Sequence, residues 1–220
     1  MYEGVVELSA ALVQTSALLL VALSAGVIVG GPLGIVLYQR EQGRRAALLA
    51  WTVQMLCRIP FVVMLVALAA LTRGLGGNGA APLAIVAIAS VAQLVAQHLR
   101  SVPAGMIDTA RAIGGSEWQI VRRVLLVEAR AALVRDGAVL ATTLLSYAAI
   151  AGLANDSGVG ALVLRHGAAH VQGAGIPGAA GAHGLVMVLA TLAALVVQVQ
   201  LIDLAGRRLG RALDWRKPAR

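Results

Sequence analysis

Apolar residues in this chain fall in five long runs, and polar residues gather in the gaps between them. The runs cover about 9–38, 46–72, 82–99, 131–153 and 184–205. A bilayer core of ~30 Å takes about 20 helical residues to cross. Four runs meet that length, and the third is short and draws in 97–99. The second is interrupted at Arg58 and Pro60, and the fourth carries Arg135 and Asp136 near its start. Backbone groups in hydrocarbon must be paired within their own segment, so runs of this length are helices. The pattern predicts an all-α polytopic membrane protein with five transmembrane helices in a single domain, 1–220. A long inner segment, about 100–130, joins the third and fourth spans. A Gly-rich outer loop, 154–183, joins the fourth and fifth. Within it, 172–183 reads as a flexible connector, and the low charge of the loop lets part of it re-enter beside other helices.

Composition agrees. Of 220 residues, 59% are apolar and 13% charged, with mean hydropathy +0.84. Soluble domains carry roughly 25% charged residues. The net charge of +8 and pI near 11.2 fit a nucleic-acid binder at first sight. The placement of that charge points elsewhere. Fifteen of the 18 basic residues lie in the gap 39–45, the segment 98–135 and the tail after 205. The opposite side holds only Arg73 and Arg165, and Arg58 sits within a span. Positive segments stay in the cytoplasm, so the N-terminus is expected outside and the C-terminus inside. Residues 1–7 carry Glu3 and Glu7 and no basic residue, as an uncleaved first span would. The polycation is a membrane topology signal, with lipid as the partner and no nucleic acid.

The chemistry that an enzyme needs is missing from the sequence. A phosphate-gripping loop ends in Lys and Ser or Thr, and the one lysine, Lys217, precedes Pro218. Cys57 stands alone. His166 and His170 have i,i+4 spacing without an adjacent Glu; with His98 and His183 they read as exposed loop histidines rather than metal ligands. No Gly-x-Ser-x-Gly elbow occurs. The expectation is a translocation component with no catalytic and no metal residues.

The inner segment does show design. Met106, Ile107, Ala110 and Ile113 share one face of a short helix opened by Pro103, with Asp108 and Arg111 off the stripe. Gly114-Gly115 ends that helix as a left-handed cap would. Ser116 and Gln119 fit a capping box for a second helix, whose apolar face is Ile120, Val124 and Val127. Two amphipathic helices joined by a glycine elbow suit either a pair lying on lipid or a dock for a soluble partner.

The residues 108–114, Asp-Thr-Ala-Arg-Ala-Ile-Gly, followed by 119–126, Gln-Ile-Val-Arg-Arg-Val-Leu-Leu, resemble the EAA loop of ABC importer permeases. The fit is closest to the methionine-importer permease subfamily. Shorter matches lie at 58–61, 103–113, 128–129, 146–148 and 157–160, so the resemblance covers nearly everything from Gly30 onward. It departs at Asp108, where Glu is usual, and at Val127, where Pro is usual. Asn155-Asp156 interrupts a Gly-rich stretch, and 172–183 resembles an insertion. The resemblance implies a permease for methionine or a related small amino acid in the bacterial inner membrane. It implies a second copy of the chain, two ATP-binding subunits and an extracytoplasmic substrate-binding protein or lipoprotein as partners. No cofactor belongs to this chain, because ATP and Mg would be bound by the partner ATPase. It makes 104–113 the coupling helix. Ile107, Ala110 and Ile113 would give apolar contact to the ATPase, Asp108 and Arg111 charged contact at its rim, and Gly114 the sharp turn.

Candidates for the pathway or gate are Arg58, Met64, Ser146, Tyr147 and Gly152. An ionisable residue in a span is a functional candidate by default, yet Arg58 also fits a side chain that snorkels beside a broken helix. Ser146, Tyr147 and Gly152 equally suit helix packing, and Met64 core filling. Alternative readings are an importer permease for another small solute or a stand-alone ion-coupled transporter. The second needs carboxylates or broken half-helices at mid-membrane, whereas Asp136 and Asp203 lie near cytoplasmic span ends.

Overall fold

The computed structural model of the chain describes residues 2–39, 44–72, 80–154, 156–173 and 179–214. Arg40, Arg73, Asn155, Arg216, Lys217 and Arg220 lie outside the described residues, as do 174–178 of the suggested insertion and the side chains of His170 and His183. All regular structure among the described residues is helical. The helices are α1 (Tyr2–Ala25), α2 (Gly31–Gln39), α3 (Arg44–Arg58), α4 (Phe61–Thr72), α5 (Ala80–Arg100), α6 (Ala104–Ala112), α7 (Glu117–Ile120), α8 (Leu126–Ala154), α9 (Gly158–Gly173) and α10 (Ala179–Leu213). Single π-helical turns, Gly26–Gly30 and Val121–Leu125, join α1 to α2 and α7 to α8.

Four stretches are long and apolar enough to cross a bilayer: Gly4–Gln39, Ala80–Arg100, Glu117–Leu153 and Gly184–Leu213. The bent pair Leu48–Arg58 and Phe61–Leu68 makes a fifth if taken as one broken span. Its break has a covalent cause. Pro60 has no N–H to give and cannot sit in a helix interior. The ladder closes at Ile59, which donates to the Met55 carbonyl, and restarts with Val63 and Met64 donating to the Pro60 carbonyl.

Two elements differ from the sequence reading. The helical stretch that carries the fourth apolar run begins well before 131, because α7 runs through the π turn into α8 without a break. Val127, standing where a proline would stop the ladder, lets it continue. The expected outer loop 154–183 contains the sixteen-residue helix α9. At ~1.5 Å per residue α9 is too short to span.

The described residues divide into two compact units. One comprises Met1–Leu23, Pro60–Ile85 and Ala141–Leu201; the other comprises Ser24–Ile59, Val86–Leu140 and Ile202–Arg220. In the first, Leu8, Ala11 and Leu12 of α1 pack on Val159, Leu162 and Val163 of α9 and on Leu195 of α10. The first N–H groups of α9 have no partner within their own helix. Side chains of α1 supply two acceptors: Gly158 N–H donates to Gln14 Oε1 at 2.9 Å, and Val159 N–H to Thr15 Oγ1 at 3.0 Å. Glu7 meets His166 at 3.4 Å farther along. His166 is therefore a helix residue with a carboxylate partner, and His98 on α5 is another, facing Asp136; neither is an exposed loop histidine.

In the second unit, Gly26, Gly30 and Gly34 recur every four residues and face α5. A Cβ on Gly30 would stand 2.5 Å from the Ile88 carbonyl oxygen, and one on Gly34 2.6 Å from that of Ala92. Small residues at this spacing let two backbones approach in a membrane, where apolar burial alone does not drive helices together.

Candidate functional site

The segment from Ser101 to Leu126 is built by local rules. Pro103 takes the N-cap position of α6 with extended ψ, and Met106 N–H donates to its carbonyl. At the far end, Gly114 N–H donates to Arg111 O and Gly115 N–H to Ala110 O. These are the two bonds of a Schellman motif. It requires a left-handed residue, and Gly114 has φ +82°. Ser116 then caps α7: its Oγ accepts from Gln119 N–H, and Gln119 Oε1 accepts from Ser116 N–H at 3.0 Å. Two helix ends, two glycines and one reciprocal cap turn the chain within five residues.

The base of this hairpin is apolar. Leu99, Val102, Ile120, Val121, Leu125 and Ala129 form a buried cluster, and Met106, Ile107 and Ala110 of α6 pack on it half-buried. The apolar stripe read from the sequence is therefore spent largely on the chain itself. Ile107 and Ala110 seat α6 on its base, while Asp108, Arg111, Ile113 and Gly114 are exposed, Ile113 at 82%. Trp118 on α7 is also exposed, at 60%. An open cleft of ≈ 580 Å³ lies beside α6, lined by Tyr38, Gln39, Ile107, Arg111 and Glu117.

Glu117 is a residue that the sequence reading missed. Arg111 Nε donates to its Oε1 at 3.0 Å, and Arg111 Nη2 lies equally close. The bridge ties the last turn of α6 to the first of α7 across the elbow. Hydrogen bonding to Glu117, and its charge, push the Arg111 pKa further up from its ordinary value. An acid just after an N-cap, where the helix dipole favours negative charge, was the available signal.

The pathway candidates are placed one by one. Arg58 is exposed at the end of α3, where the helix breaks. In the other unit, Met64 is buried on α4, and Phe61 one turn earlier stacks on Tyr147 of α8 with ring centroids 4.5 Å apart. Ser146 is exposed and its hydroxyl donates to the Thr142 carbonyl, i−4 on its own helix. Gly152 is buried, and its carbonyl accepts from Ser157 N–H in the turn that leads to α9. Tyr147 thus serves α4–α8 packing through Phe61, Met64 is a buried residue of α4, and Gly152 serves the turn.

Residues 30–214 match the family described as binding-protein-dependent transport system inner membrane component. A probable D-methionine transport system permease protein, MetI, of Vibrio cholerae is 30% identical over 215 residues, covering 92% of this chain and 90% of the relative. The D-methionine transport system permease protein MetI of Escherichia coli K12 is 32% identical over 151 residues, covering 63% and 70%. Among solved structures, an inward-facing form of the MetNI methionine ABC transporter superposes with a TM-score of 0.78 at 29% identity, over 91% of this chain and 93% of that one. An amino acid ABC transporter crystallised with histidines reaches 0.73 at 16% identity, over 94% and 96%, and shows the shared fold. With a helical hairpin between two candidate spans, a proline-broken helix pair and a match over residues 30–214, the chain belongs to the family of binding-protein-dependent transport system inner membrane components.

Proposed function

We propose that two copies of this chain form the membrane pathway of an ATP-driven importer for methionine or a close relative. An extracytoplasmic binding protein delivers the substrate, and two ATPase subunits, which hold ATP and Mg, drive it inward. The N-terminus lies outside and the C-terminus in the cytoplasm, following the placement of arginines. The observation that carries this reading is the hairpin of α6 and α7. It presents Asp108, Ile113 and Trp118 to a partner from a rigid apolar base, with Ile107 and Ala110 as its seat and the Arg111–Glu117 bridge as its brace. Substrate identity rests on the likeness to MetI and MetNI proteins. Alternating access follows from linkage: ATP favours one arrangement of the assembly, and the dock passes that preference to the spans.

The test is co-expression with the neighbouring ATPase and binding-protein candidates. The expected result is co-purification and ATP turnover that rises with methionine-loaded binding protein. A chain that purifies alone and transports without an ATPase overturns the reading. Stimulation by another solute, with methionine inert, keeps the importer and changes its substrate.

A further inference from the structure

The docking hairpin hangs between two legs, because α5 leads into it and α8 leads out. His98 of α5 and Asp136 of α8 meet across the legs, with Nε2 2.8 Å from Oδ2. His98 stands within the last turn of α5, just before the chain enters the hairpin. Its side chain is 17% exposed and that of Asp136 53%. The same legs share the apolar cluster of Leu99, Leu125 and Ala129, with Leu133 against it. Apolar contact is non-directional and tolerates small sliding or rotation. A hydrogen bond to a carboxylate fixes both distance and angle.

Neutralising an acid near a span end requires only some cation, and α8 and α10 carry several. Three of these have contacts of their own. Arg207 pairs with Asp203 at 2.6 Å, Arg130 donates to the Leu213 carbonyl at 3.1 Å, and the stem of Arg135 lies over Gly210. Asp136 meets His98, and that contact crosses from one leg to the other.

We propose that the His98–Asp136 bond clamps α5 and α8 into one block, so that displacement of α6 by the ATPase reaches both legs together. The inference rests on the docking role proposed above. His98 is then a positioning residue. Without it, the legs flex separately, and part of the displacement dissipates at the membrane surface.

The test uses the whole complex in proteoliposomes and reads methionine carried per ATP hydrolysed. Replacing His98→Ala should lower that ratio about 5- to 10-fold, the lower end of what a typical coupling energy gives, while assembly and basal ATP turnover persist. His98→Gln, which keeps an N–H donor, should restore most of it. The double variant His98→Ala/Asp136→Ala should be no worse than the single one. An unchanged ratio in His98→Ala, or losses that multiply in the double variant, overturns the clamp. Absence of ATP-coupled transport in the wild-type complex overturns the importer reading and the clamp with it. A second arm remains decisive if His98→Ala fails to assemble. The variant His98→Cys/Asp136→Cys, in a Cys57→Ser background, is joined by a short bifunctional thiol reagent. The joined complex should transport with wild-type coupling. Loss of transport on joining means that the legs must separate during the cycle, and the clamp is wrong.

Discussion

Among the described residues two left-handed glycines turn the chain, Gly114 after α6 and Gly158 at the start of α9, and they are held in opposite ways. Gly114 has φ +82° and open space where a Cβ would be. Everything that fixes it lies within a few residues: the Schellman bonds, the Ser116–Gln119 box and the Arg111–Glu117 bridge. Gly158 has φ +68°, and a Cβ there would stand 2.7 Å from Thr15 Oγ1. What fixes it comes from 144 residues earlier in the chain, through Gln14 and Thr15. The first elbow is a self-contained turn whose surface stays exposed. The second is closed by packing, and its polar groups are satisfied by another helix because lipid supplies no donors or acceptors.

The comparison can be broken by substitution, beginning where the effect is largest. Gly158→Ala meets both the backbone penalty and the clash with Thr15. Its cost is about 2–4 kcal/mol, from ~1–2 for the left-handed conformation and ~1–2 for overpacking, read as a lower thermal midpoint in detergent. Thr15→Val preserves shape but leaves the buried Val159 N–H without its acceptor, for about 1–3 kcal/mol by the same assay. Gly114→Ala meets no neighbour, so it should cost only the backbone term, ~1–2 kcal/mol. A Gly114→Ala loss as large as that of Gly158→Ala would erase the distinction. Glu117→Gln removes an exposed bridge and should leave the midpoint unchanged, because such pairs contribute little.

The same contrast explains what could be read beforehand. The α6–α7 hairpin was legible because its signals are local: a proline at the start, two glycines at the turn, Ser116 and Gln119 three apart. The break at Pro60 was legible for the same reason. The Gln14 and Thr15 caps left no trace near α9, so its helix was read as loop. Gly26, Gly30 and Gly34 could have been recognised by their spacing of four in an apolar run. The face of α6 was identified, but not what covers it. Periodicity marks Met106, Ile107 and Ala110 as a stripe and cannot say that Leu99, Ile120 and Leu125 lie beneath. Glu117 escaped because it pairs across a turn, where helical spacing has no meaning.

The central claim is that the open elbow transmits work from an ATPase to the spans. Gly114→Val tests it most directly, since a β-branched residue at positive φ is strongly disfavoured while nothing in the spans is touched. ATP-dependent methionine uptake should be measured in proteoliposomes holding the complete complex, wild type against Gly114→Val, with membrane insertion checked in both. The account predicts that the variant inserts normally and loses uptake. Uptake equal to wild type in the inserted variant would contradict it.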